Sequence, residues 1–216
     1  MRIGLKSFLG IVVLLLFASD AFGQRKELTL VPWAPPADLD FPSALPRPTV
    51  PQPMVTALRL GTMSIRLDRT ELAAVREQLG GELGRRGDAG STLRWLCYGG
   101  EDTTGRWALW LTAGEIDGPT IGSFEWRRVA ANARFDPLCT LLPKGATVTL
   151  SPAYLHLGMS QSEVFHHMGT PTVHHGDMLD YEHAHKEKAF DFSNSVAVRF
   201  VSGIVDSILV AVTVSN

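Results

Sequence analysis

Six of the chain's seven histidines fall between His166 and His185: His166, His167, His174, His175, His183 and His185. The His183-x-His185 spacing sets two imidazoles on one face of a strand, because strand side chains alternate. With a third ligand from His174 or His175, such a pair can hold zinc or copper. Asp177, Met178 and Asp180 lie nearby as further donors. The spacing matches no named metal motif, so the competing reading is a set of exposed loop histidines that respond to pH. The four candidate ligands are therefore His174, His175, His183 and His185, with no cofactor required.

Tryptophan is the second unusual group. Trp95, Trp107, Trp110 and Trp126 crowd one stretch. Trp107 and Trp110 are three apart and so point to opposite faces of a strand. One packs under a helix, and the other faces outward or into a junction. Trp107, Trp110 and Trp126 are the candidate protein-binding residues, since exposed tryptophans make hot spots. Burial in a core is the alternative. Enzyme signatures are missing: there is no Gly-x-Ser-x-Gly, P-loop, His-Glu-x-x-His or dinucleotide fingerprint. The acidic pairs Glu101-Asp102 and Glu115 with Asp117 fall at predicted strand ends and turns, where turn chemistry explains them. The expectation is a non-enzymatic protein.

The elements that position these residues begin with an export signal. Arg2 and Lys6 precede an apolar run from Phe8 to Ala18, and Ala21-Phe22-Gly23 reads as a cleavage site. Residues 1–23 are thus expected to be a signal peptide, placing the mature chain in the periplasm or outside the cell. No cysteine follows the apolar run for lipid attachment, and no later segment is long enough to span a membrane. Loss of Arg2, Lys6 and Asp20 moves the formal charge from −2 to −3. No basic cluster points to nucleic acid or an anionic membrane. Export lets Cys97 and Cys139 pair, closing a loop of about 43 residues. Residues 24–55 are expected to be an extended tether, since eight of thirteen prolines lie in 32–53.

From Met54 onward the pattern is globular, and it repeats. Leu58, Leu60, Ile65 and Leu67 alternate as in a strand. Asp68 or Thr70 is placed to cap a helix carrying Leu72, Val75 and Leu79, which Gly80-Gly81 ends. Strands follow around Trp95, Leu109 and Phe124, and Arg127 to Pro143 reads as an irregular bridge. About ninety residues later Leu155 and Leu157 precede a capping box, Ser160 with Glu163, and a helix stopped by Gly169 and Pro171. Strands are expected near 178–185, 188–193, 196–201 and 204–214. Gly87-Asp88 matches Gly176-Asp177, and Gly114 with Asp117 matches Gly203 with Asp206, at an offset of 89. The expected fold is α+β: two tandem modules, 56–143 and 144–216, each a short helix on one face of a 3–4-stranded antiparallel sheet.

The stretch Leu157-Gly158-Met159-Ser160, Glu163-Val164, Met168-Gly169 and Pro171 resembles the helix-opening signature of the BamE (SmpA/OmlA) outer-membrane assembly lipoproteins. It is equally similar to tandem modules shaped like the β-lactamase inhibitor protein. In the first copy Arg69 stands for the methionine and Ala73-Ala74 for Glu-Val. The resemblance implies a helix-on-sheet module that binds an envelope or secreted protein and performs no chemistry. A periplasmic zinc- or copper-binding protein is the alternative function.

Overall fold

The computed structural model describes residues 29–36, 54–88, 91–114, 118–187 and 189–215. The predicted signal peptide and most of the tether lie outside them. A short strand, β1 (Leu30–Val31), precedes a hairpin of β2 (Ala57–Leu60) and β3 (Met63–Arg66) and the helix α1 (Leu72–Leu79). A meander follows: β4 (Gly84–Arg86), β5 (Leu93–Asp102), β6 (Gly105–Gly114) and β7 (Ser123–Arg128). The expected bridge carries β8 (Arg134–Phe135) and β9 (Thr140–Leu141). Then come β10 (Val148–Ser151), α2 (Gln161–Met168) and a second meander, β11 (Val173–His175), β12 (Met178–Glu187), β13 (Phe190–Val201) and β14 (Ile204–Ser215).

The expectation of two α+β modules is wrong. The protein is mostly β, and its only helices among the described residues are the two of eight residues. Both meanders belong to one nine-stranded sheet, in the order β11-β12-β13-β14-β7-β6-β5-β4 with β9 beside β5. The physical reason lies at β7 and β14. Each would be a bare sheet edge in an isolated module. They pair with each other instead, from Ser207 opposite Arg127 to Ala211 opposite Ser123. A second, three-stranded sheet, β10-β2-β3, also joins segments from both expected modules. One hydrophobic core fills the space between, drawing on Leu58, Val75, Leu109 and Trp126 as well as Val164, Val198 and Ile208.

The two joints share a symmetry. Moving 84 residues along the chain carries Ser123 to Ser207 and Arg127 to Ala211, so the β7–β14 register maps onto itself about the Glu125–Leu209 pair. Moving 90 residues does the same for β2 and β10 about Arg59–Thr149. The lacing at each helix start also recurs. Asp68 and Leu72 amides donate to Ile121 and Pro119 carbonyls, as Gly158 and Gln161 amides donate to Val205 and Gly203. The offset of 89 therefore does not persist to the sheet centre. It is kept at α1 and α2 and at Gly87 and Gly176, then shortens because the loop after β4 is longer than that after β11. Gly203 matches Pro119, not Gly114, and Asp117 lies outside the described residues.

Local sequence explains the helix ends. Ser160 caps α2: its hydroxyl accepts the Glu163 amide, and the Glu163 carboxylate accepts the Ser160 amide at 2.7 Å. Neither Asp68 nor Thr70 caps α1. Glu71 holds the cap position with no side-chain bond, and the Thr70 hydroxyl accepts the Arg66 amide. The lacing to Pro119 serves that helix start instead. Both helices end at a glycine with positive φ, where a buried tyrosine closes the last turn. Tyr98 donates to the Gly80 carbonyl at 2.8 Å and Tyr181 to that of Gly169 at 3.3 Å. Burial pushes both phenols up in pKa, keeping them donors. The two strands expected at 188–193 and 196–201 are one, β13. Its polar middle is used by Asn194, whose amide group bonds the backbone of Met54 and Val55.

Candidate functional site

The three candidate tryptophans are core residues. Trp107 and Trp126 lie in the main core, and Trp110 lies on the opposite sheet face, all at most 3% exposed. Trp110 donates from Nε1 to the carbonyls of Pro32 and Trp33, both at 3.2 Å. Residues 31–34 thus cover that face: Val31 is buried there, and Trp33 packs edge-on against Trp95 at 5.2 Å. This part of the expected tether is docked. Beneath it Cys97 and Cys139 form the disulfide, which ties the bridge to β5.

The histidines divide. His183 and His185 share a face of β12, their rings 5.3 Å apart, and His185 stacks on Phe192. His174 and His175 sit on β11 opposite Leu179 and Met178 and point to opposite faces. His183 lies four residue steps along β12 from Leu179, about 13 Å at strand spacing. The structure does not bring the four together, and no group of three metal-ligating side chains occurs among the described residues. His167 of α2 stacks on Tyr154, and His174 of β11 meets Phe165 of α2 edge-on, so each engages an aromatic neighbour. The acidic pair at the end of β5 is turn chemistry: Asp102 accepts the Thr104 amide at 2.8 Å and hydroxyl at 2.6 Å. Glu115 and Asp117 lie outside the described residues.

Two features escaped the sequence reading. The first is the burial of Asp180, expected only as a further donor: it lies fully buried on the sheet face away from the main core, neither carboxylate oxygen having a hydrogen-bond partner. Desolvation pushes its pKa from 3.8 to about 6, against a smaller opposing pull from His175. Glu182, two residues on, is also raised by burial, opposed by its hydrogen bond from Ser195. The second is the outer face of the β10-β2-β3 sheet. The alternation that buries Leu58, Leu60 and Ile65 turns Arg59, Ser64 and Arg66 outward. Cross-strand pairing sets Arg59 between Thr149 and Ser64, and Ala57 between Ser151 and Arg66. Together they line a shallow concavity of about 480 Å³, with no carboxylate in its wall. Among the described residues neither guanidinium has a hydrogen bond or ion pair. The sequence signal was the outward half of the period-two pattern used to place the strands.

Such a surface presents two fixed positive charges among hydroxyls on a rigid sheet. It can recognise carboxylates bidentately. It holds no nucleophile–base pair. No helix among the described residues is long and apolar enough to cross a membrane. Comparison with protein-family models, with curated proteins and with solved structures finds no match for the chain.

Proposed function

We propose that this is an exported, non-enzymatic binding protein whose β10-β2-β3 face receives the acidic surface of another envelope or secreted protein. The observation that carries the reading is the pair of outward guanidinia, Arg59 and Arg66, in a concavity lined otherwise by threonine, serine, alanine and two leucine residues. Burying a carboxylate there gains charge-assisted hydrogen bonds, and the long-range attraction steers encounter. The likeness of the Gly158–Pro171 motif to envelope assembly proteins points the same way. The tryptophans enter this reading only as core beneath the faces.

The test is capture from envelope extract, followed by titration of the captured protein against purified chain. Reversal of both charges, Arg59→Glu with Arg66→Glu, weakens binding at least about tenfold, and rising salt weakens the wild-type complex. The reversed variant keeps the wild-type Tm, because both side chains are exposed. Binding that ignores both charge reversal and salt refutes the proposal.

A further inference from the structure

The long strand β12 outruns its outer neighbour. β11 pairs only with Met178, Leu179 and Asp180. Just beyond, the Thr172 hydroxyl accepts the Glu182 amide at 2.9 Å. That bond fixes the direction of the peptide groups: Glu182 points its amide out of the sheet, and so, by the period of two, do Ala184 and Lys186. No strand among the described residues pairs with this side of β12 from Tyr181 onward. Ala184, His185 and Lys186 are exposed. The corresponding edge of β5, in the other meander, carries both β4 and the parallel strand β9.

We propose that the edge of β12 pairs antiparallel with the same edge of a second copy of this chain, Ala184 opposite Ala184. The sequence Glu182-His183-Ala184-His185-Lys186 is self-complementary in that register. Each Glu182, buried beside Ser195 in the single chain, faces Lys186 of the second copy across the edge, giving two opposite-charge pairs about a twofold axis. Lys186 is free to change partner: its contact with Asp191, at 3.6 Å, is open to water on both sides. The alternatives are worse. A one-residue shift to His183 drives Lys186 of the second copy against Asp180, whose carbonyl already accepts the Thr172 amide. A shift to His185 sets like histidines opposite each other and separates the charge pairs. The Ala184 register exchanges amide and carbonyl between the two Ala184 residues and gives each Glu182 carbonyl a Lys186 amide. Five residues a side make a small interface, so the pair is weak and reversible.

Sedimentation equilibrium of the mature chain up to about 1 mM tests this, a range in which millimolar affinities register. The expected result is a concentration-dependent dimer. Lys186→Glu alone and Glu182→Lys alone each shift it at least about tenfold toward monomer, and an equimolar mixture of the two variants recovers dimer as a heterodimer, since each tenfold step needs only 1.4 kcal/mol. Ala184→Pro, which deletes the central outward amide on an edge strand that tolerates proline, also gives monomer with an unchanged circular-dichroism spectrum. A wild-type chain that stays monomeric throughout overturns the proposal. So does a dimer indifferent to these substitutions, or a mixture that fails to recover. None of these outcomes touches the arginine face, which lies on the other sheet.

Discussion

Replacing Asp180 with asparagine tests the account of the sheet's outer face most directly. The carboxyl is fully buried, its two oxygens unpartnered, and desolvation holds its pKa at about 6 against 3.8 for the free group. The raised value means the native state binds this proton more tightly than the unfolded chain. Between pH 4 and pH 6 the native chain retains a proton that the unfolded chain has released, so stability falls as pH rises through that window and is level above it. The separation of the two values corresponds to about 3 kcal/mol. Asparagine is nearly isosteric and never ionises, so it removes the cost of the charge. The stability of Asp180→Asn relative to wild type should therefore rise by about 3 kcal/mol from pH 4 to pH 7. Urea unfolding of both proteins across that range, with the difference taken at each pH, isolates the Asp180 contribution from groups common to both. His175, on the neighbouring strand, opposes the desolvation of Asp180 without reversing its sign. A difference that stays constant from pH 4 to pH 7 would show that the carboxylate is solvated or paired in solution, and the reasoning would fail.

Three further outcomes follow from the same structure. Cys97→Ser with Cys139→Ser opens a link between residues 42 apart and should cost about 4 kcal/mol in the chain-entropy treatment, read as a lower urea midpoint than the oxidised wild type. Ser160→Ala deletes the hydroxyl side of the α2 capping box, leaving the backbone amide of residue 160 to the Glu163 carboxylate, and should cost about 1 kcal/mol by thermal or urea unfolding. Thr70→Ala, at the corresponding helix start, removes no helix cap; a loss equal to that at Ser160 would contradict the different capping of α1 and α2.

What was legible in the sequence is what local chemistry dictates. Ser160 and Glu163 announce a helix start because both partners of the box lie within one turn. Two cysteines behind an expected export signal announce their own pairing. Period-two alternation placed β2, β5 and β7 and put Trp107 and Trp110 on opposite faces. Illegible was whatever depends on residues far apart in sequence. Nothing in Ser123–Arg128 or Ser207–Ala211 alone says that these strands meet, because register between distant strands is set by the edges left over when nearer pairings are complete. The same blindness misplaced the tryptophans as contacts: Trp110 looks exposed until the Pro32 and Trp33 carbonyls are brought to its ring nitrogen from 78 and 77 residues away. It also made a ligand set of histidines that share a segment and divide between strands.

The near-symmetry of the sheet sharpens the meaning of its differences. The outer face of the first meander presents Trp95, Cys97 and Trp110, and residues 31–34 seal it with the disulfide. The outer face of the second presents Asp180, Glu182, Ser195 and Ser207, all buried. A face built from tryptophan and a disulfide is stabilised by cover and gains nothing from solvent. A face built from carboxylates and hydroxyls loses stability on being covered unless each polar group finds a partner. Glu182 finds Ser195, and Ser207 finds Arg199, but Asp180 finds none. Selection for stability alone would not keep a charge there, since a neutral side chain of the same shape serves the sheet better. The two meanders thus share a backbone plan and differ in what their outer surfaces tolerate, and the departures from good packing gather on β12 and its neighbours. That strand carries the orphaned carboxylate, the paired histidines and the open edge together, which makes it the place where a chain otherwise organised for stability is least committed to it.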